Sequence, residues 1–213
     1  MDIAALVEQA EEGGLETGHA ARLAATAPVA TGQCARNSSA VVQLVRHSDT
    51  PSGAVQAIDA ELQRVPCGAV ATFRLTGDIA RLVVPPPAPP DRTDQLWRTT
   101  CFELFAAGEG DSYREYNLSP SGAWAAYEFE GYRSGMRSLA AEIGIDSSFL
   151  DNSLTLVAKI KSAFLMPALV GLTAVIEETD GAIRYWSTAF APGKPDFHSA
   201  AVRSLLFDGV SAE

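Results

Sequence analysis

All seventeen aromatic side chains of this 213-residue chain (nine Phe, five Tyr and three Trp) fall between Phe73 and Phe207. Aromatic rings bury more apolar surface per residue than other side chains, so the core must be assembled from that stretch. Within it, apolar residues recur mainly at every second position. The runs are short and are separated, at roughly 8–12-residue intervals, by clusters rich in Gly, Pro, Asn, Asp and Ser. This is the pattern of half-buried strands, with almost no helical period. It predicts an all-β chain: an antiparallel β-sandwich, jelly-roll-like, of roughly eight to ten short strands.

The strands expected from alternation lie at 41–46, 69–76, 79–84, 100–107, 113–118, 123–130, 154–160 and 202–207. The segment 55–65 fits either period. Val55, Ile58, Leu62 and Val65 are spaced for a helix, whereas Ile58, Ala60 and Leu62 alternate as in a strand. Residues 172–178 and 183–190, joined by Thr179-Asp180-Gly181-Ala182, read as a hairpin with Asp-Gly at its turn. Residues 131–144 read as loop or short helix, and 164–169 as one helical turn. Five prolines in Pro85-Pro86-Pro87-Ala88-Pro89-Pro90 form an extended, stiff segment that cannot join a central ladder, and a crossover between sheets is its expected role. Residues 1–40 contain no aromatic side chain. They read as two weak helical pieces, 2–12 and 15–25, broken by Gly13-Gly14, and thus as an appendage to a domain spanning 41–213.

Composition removes several functional classes. The net charge is −10, with 26 acidic against 16 basic residues and no basic run, which argues against nucleic acid or an anionic membrane as partner. No apolar stretch approaches the roughly 18 residues of a spanning helix. The cysteines, Cys34, Cys67 and Cys101, are scattered and form no C-x-x-C pair, as expected for a reducing compartment. Met1-Asp2-Ile3-Ala4-Ala5 lacks the basic and apolar regions of a secretory signal, so cytoplasmic residence is the expectation. The oligomeric state stays open.

Familiar catalytic signatures, including G-x-S-x-G, the Walker loop, G-x-G-x-x-G and H-E-x-x-H, do not occur. His19, His47 and His198 are too far apart in sequence for a histidine-based metal cluster, so an enzyme is disfavoured and no metal site is expected. Glu103 shares a strand face with Cys101 and Phe105, an apolar setting that is costly for a carboxylate unless it is paired or accepts ligand hydroxyls. Glu115 and Glu128 flank the turn at 119–122. Two carboxylates about 5–9 Å apart can hydrolyse a glycoside, although strand glutamates more often line a solvated face. Sugar rings offer apolar C–H faces ringed by hydroxyls, and a site for them combines flat aromatic platforms with planar hydrogen-bonding groups. Trp97, Glu103, Tyr113, Glu115, Asn117 and Trp124 supply both, while Trp124 and Trp186 read equally as sandwich core.

The block Trp97-Arg98-Thr99-Thr100-Cys101-Phe102-Glu103-Leu104-Phe105, followed by Tyr113-Arg114-Glu115-Tyr116-Asn117-Leu118-Ser119-Pro120-Ser121-Gly122-Ala123-Trp124, resembles small bacterial DOMON-like proteins. These are related in turn to family-9 carbohydrate-binding modules. Tyr132-Arg133-Ser134-Gly135-Met136 and Pro192-Gly193-Lys194-Pro195-Asp196-Phe197-His198 are similar to the same group, and the likeness runs from about Val41 to Phe207. The resemblance implies a β-sandwich that binds a ligand, sugar or haem, in a site on one edge or concave face; the expectation is a non-catalytic carbohydrate-binding module, with a haem-binding domain, a glycosidase-like protein or a structural or interaction protein as alternatives. It pairs a stacking Trp97 with a hydroxyl acceptor six residues on, Glu103, and Asn117 adds a further hydrogen-bonding group. Phe197 is the second aromatic wall, with Trp186 as the fallback, and Arg98 and Arg133 are candidates to hold an acidic substituent. Six residues of straight strand span ~20 Å, so the chain must curl between Trp97 and Glu103. Haem-binding relatives use Met/His axial pairs, for which Met136, Met166 and His198 are the candidates; otherwise no cofactor is expected.

Overall fold

The computed structural model describes residues 39–208, and the two expected N-terminal helical pieces lie outside them. Thirteen strands are found among the described residues. They are β1 (Ser39–Gln43), β2 (Val45–Arg46), β3 (Val55–Val65), β4 (Gly68–Gly77), β5 (Cys101–Ala107), β6 (Tyr113–Leu118) and β7 (Trp124–Phe129). The remainder are β8 (Arg137–Ser138), β9 (Glu142–Leu150), β10 (Ser153–Lys161), β11 (Ala168–Glu177), β12 (Ile183–Ser187) and β13 (Leu205–Phe207). Among the described residues, helical structure is confined to single 3₁₀ turns at Ile79–Arg81, Leu96–Arg98 and Ala200–Val202.

The strands form two antiparallel sheets. One has the order β1-β3-β4-β10-β9; the other runs β2-β12-β11-β5-β6-β7-β8, with β13 paired to the start of β11. The inner faces supply one core. Ile58, Ala60 and Leu62 of β3, Ala69, Ala71, Phe73 and Leu75 of β4, and Leu154, Leu156, Ala158 and Ile160 of β10 come from the first sheet. Phe102, Leu104 and Ala106 of β5 with Val170, Leu172, Ala174 and Ile176 of β11 meet them from the second. Phe73 and Phe102 lie in contact across the gap, ring centroids 4.9 Å apart. The proline run carries the chain from β4 of the first sheet toward β5 of the second, the crossover expected of it.

Segment 55–65 is strand along its whole length, because its backbone is paired on both sides, to β1 and to β4. That ladder decides between two side-chain periods that were equally good. Other expectations are corrected. Residues 131–144 are loop with no helix, interrupted by the two-residue strand β8 and ending in the start of β9; 164–169 is not a helical turn, β11 beginning at Ala168; and the strand expected at 79–84 is instead a 3₁₀ turn at Ile79–Arg81 followed by a single bridge from Leu82 to Glu178. The unforeseen β9 is an edge strand whose partner is β10 alone. Its middle, Gly144-Ile145-Asp146-Ser147-Ser148, is too polar to announce a strand. The Asp180-Gly181 hairpin forms as expected, with Gly181 at φ +82°, a conformation that glycine adopts without steric cost.

The second sheet is unusual in being covered on both faces, so β5 is buried at six of its seven positions. Its outer face carries a second apolar cluster built from Phe105, Tyr113, Ala125, Tyr127, Phe129, Val175, Phe197 and Val202. Gly171 of β11 lets the 3₁₀ turn at 200–202 lie directly on this face. A Cβ there would come within 2.5 Å of the Val202 carbonyl oxygen.

One end of the sandwich is tied by charge. Glu178, fully buried, accepts the Ala54 N–H at 2.8 Å and pairs with Arg184 at 3.1 Å and Arg81 at 3.2 Å. Arg184, also buried, donates to the Pro51 carbonyl at 3.0 Å, so a single guanidinium closes the 51–54 loop onto the hairpin. Arg184→Met should therefore lower unfolding stability by about 3 kcal/mol, because the buried carboxylate loses its main partner. Adding Glu178→Gln should recover part of that loss. Urea titrations of the single and double variants check both statements.

Candidate functional site

Sheet register builds the outer face of the second sheet row by row. Tyr185, Val175 and Cys101 form one cross-strand row. Ser187, Thr173, Glu103, Asn117 and Ala125 form the next, followed by Gly171, Phe105, Glu115 and Tyr127. Tyr113 and Phe129 close the series and stack with ring centroids 4.6 Å apart. The segment between β12 and β13 folds over one side, while the Leu96–Arg98 turn and the β7–β8 loop stand at the others. Between them opens a cleft of about 500 Å³.

Two carboxyl groups lie at its floor. Glu103 is 2% exposed and accepts a hydrogen bond from the Thr173 hydroxyl at 2.8 Å. Glu115, diagonally opposite on β6, is 5% exposed and accepts from the Asn117 side-chain amide at 2.6 Å. Among the described residues no lysine or arginine lies within ion-pair distance of either. Burial, reinforced by the neighbouring Glu115, pushes the Glu103 carboxyl up to about 8, so it keeps its proton at neutral pH. Burial raises Glu115 as well, against the opposing pull of the Asn117 amide and of the Arg133 charge.

His198 sits beside them. The Arg133 backbone N–H donates to the Tyr113 hydroxyl at 3.3 Å, and that hydroxyl lies 2.7 Å from His198 Nδ1. A hydroxyl that accepts from the backbone is free to donate onward, which leaves the ring proton on Nε2, turned toward Glu115 Oε2 at 3.9 Å. Burial, then the Arg133 charge, lowers His198 to about 4, so at neutral pH it is uncharged and offers no ion pair.

The sequence-selected residues separate into groups. Trp97, Glu103, Glu115, Arg133 and Phe197 all line the cleft. Trp97, 39% exposed, projects from the 3₁₀ turn that supplies the expected curl before β5, and meets Tyr127 edge to face at 6.2 Å. Arg133 is bound to Asp196 at 2.8 Å, and Asp196 also accepts from the Tyr132 hydroxyl at 2.9 Å. Asn117 and Tyr113 lie underneath and act through their neighbours. Arg98 is exposed and does not line the cleft. Trp186 does not line it either: it is buried in the inter-sheet core, because it pairs with the inward Ala174. Glu128 turns away from Glu115 and binds Arg114 and Arg137, which separates that pair of carboxylates.

Tyr127 and Tyr185, which belong to the aromatic set the sequence offers for a sugar site but not to its selected site residues, line the cleft, as does Asp196. For Tyr127 a signal existed, since the tight turn at 119–122 fixes the register that places it opposite Glu115. Of the candidate haem ligands, Met136 and His198 reach the cleft, whereas Met166 packs on the inter-sheet core. Both ring nitrogens of His198 are turned to protein groups, and the set does not fit an axial pair.

No protein-family model matches the sequence, and no curated protein does. Among solved structures, the fold is similar to that of a protein from Bacteroides uniformis provisionally described as carbohydrate-binding. The TM-score is 0.53 at 13% identity, over 78% of this chain and 83% of that one. A family-9 carbohydrate-binding module from Caldicellulosiruptor kristjanssonii, solved with cellotriose, aligns at a TM-score of 0.36 and 9% identity, over 64% of this chain and 67% of its own.

The raised Glu103 carboxyl has a measurable sign. The unfolded chain loses this proton near the ordinary glutamate value and the folded protein only near 8. Stability therefore falls as pH rises between those limits and is level beyond them. Glu103→Gln removes that slope. The variant should match the parent near pH 4 and exceed it by about 1–4 kcal/mol at pH 8, as read from denaturant unfolding at each pH.

Proposed function

We propose that the outer-face cleft binds a saccharide and that the chain is a non-catalytic, DOMON-like binding module. One observation carries the reading: a partly exposed indole and two buried carboxyl groups face the same solvent-accessible hollow. A sugar ring laid on Trp97 covers its apolar C–H face with the indole and turns its hydroxyls toward Glu103 and Glu115. Phe197 and Tyr185 form the opposing apolar wall. Protonated Glu103 donates as well as accepts, which matches the double role of a hydroxyl. The cleft volume lies within the range of about 300–1,000 Å³ usual for small-molecule sites. The description of the Bacteroides uniformis protein as carbohydrate-binding supports the same reading.

A hydrolytic reading has one observation in its favour, a protonated carboxyl beside a second carboxyl on one sheet face. The binding reading expects no release of chromophore from aryl glycosides. Turnover that disappears in Glu103→Gln would replace it.

Calorimetric titration with a panel of mono- and disaccharides is the direct test. Trp97→Ala should weaken the responsive sugar about tenfold, the ~1–2 kcal/mol of one stacking contact, with the circular dichroism spectrum unchanged. Heat from none of the panel, or equal affinity in the variant, overturns the proposal.

A further inference from the structure

We infer that the saccharide taken by this cleft is an amino sugar, its ammonium group seated over the Glu103 and Glu115 carboxyls and against the aromatic wall. The inference rests on the saccharide reading above and specifies the ligand's charge. Four charged side chains line the cleft: Glu103, Glu115, Asp196 and Arg133. Arg133 is paired with Asp196 at 2.8 Å; its charge still reaches Glu115 across the cleft, but among the described residues no guanidinium or ammonium forms an ion pair with either glutamate. Arg203 is held over the ring of Tyr113 at 4.6 Å and reaches the His198 carbonyl, away from both. The imidazole beside Glu115 is neutral.

The walls suit the same occupant. Trp97, Phe129, Tyr185, Phe105 and Phe197 line the cleft with the carboxyl groups, and ring faces carry partial negative charge that attracts a cation from which water has been removed; the Tyr127 ring already carries Arg92 at 5.2 Å. A neutral sugar gains only hydrogen bonds at this floor. An ammonium gains those and also takes over from the Glu103 proton as the positive charge between the two carboxyl groups.

Every group facing Glu103 is accounted for. Glu115 looks at it from β6, the Cys101 thiol from its own strand and the Thr173 hydroxyl from β11. Arg133, Asp196 and His198 stand across the cleft, and Tyr127 and Tyr185 lie on the flanking strands. None of these supplies a positive charge at hydrogen-bond distance. On binding, the Glu103 carboxyl proton passes to solvent and the carboxylate accepts the ammonium hydrogens, so uptake of one ligand cation releases up to one proton. Affinity for the amine accordingly rises with pH from about 5 toward 8, until the amine itself loses its charge.

Titration calorimetry in two buffers of different ionisation enthalpy, using the intact chain, reads both quantities. The probes are cellobiose, the β-1,4-linked dimer of glucosamine, and its N-acetylated form. The glucosamine dimer should bind about tenfold or more tighter than the other two, with net proton release near pH 6.5. Glu103→Gln with Glu115→Gln removes the acidic floor while keeping its shape, and a circular dichroism spectrum like the parent's checks that the variant folds. It should bring the three probes within about threefold of one another, whatever happens to the affinity for cellobiose itself. If cellobiose or the N-acetylated dimer binds as tightly as the free amine, or no proton leaves, the amino-sugar inference is overturned and the saccharide reading stands. If none of the three binds and the wider sugar panel is silent too, both fall together.

Discussion

The alternation of β5 is the constraint on which the molecule depends. Phe102, Leu104 and Ala106 fill the space between the sheets, and every one of them is almost wholly buried. With their parity set by that core, Cys101, Glu103 and Phe105 have no choice but the opposite face. Burying the three inward side chains contributes on the order of several kcal/mol, more than enough to hold an acidic group where it would not otherwise go. A one-residue slip would exchange the two sets, placing Glu103 between the sheets and emptying the cleft floor. The core thus positions the site, and the site's strain is sustained by the core.

The same logic explains why the second sheet is covered twice. A sheet with one face on a core can leave the other to water, but here the other face is aromatic. Phe105, Tyr113, Tyr127 and Phe129 need a cover, and the segment between β12 and β13 provides it with Phe197 and Val202. The cover is partial. Where it stops, the remaining aromatic surface and the two carboxyl groups meet solvent in a hollow, and that incompleteness is what makes a site out of a second core.

Much of this was legible in the sequence because period two is a strong signal wherever one face is apolar. β4, β10 and the β11–β12 hairpin follow directly from it, and Trp97, Glu103 and Glu115 are brought to one cleft by a block whose alternation was evident. The misses have a common cause. Trp186 and Tyr185 are neighbours on β12, and which of them faces outward depends on pairing with β11 that no local pattern records. Strand β9 escaped notice because an edge strand owes its existence to its partner's backbone rather than to its own apolar content. Glu128 failed to join Glu115 for the same reason of parity, its cross-strand partner being Arg114.

The proline crossover leads straight to the cleft rim. Pro85–Pro90 has little rotational freedom to lose. Within it and just beyond, the chain is pinned to the β6–β7 turn and the start of β7: the Ala88 N–H donates to the Ser121 carbonyl at 2.8 Å, the Trp124 N–H to the Asp91 carbonyl at 3.2 Å, and the Thr93 N–H to the Trp124 carbonyl at 2.8 Å. The turn bearing Trp97 follows within a few residues. An indole delivered by so stiff a tether is already in place before any ligand arrives, and association need not freeze a wandering loop. A ligand bound as proposed above would then divert little of its contact strength into ordering the host.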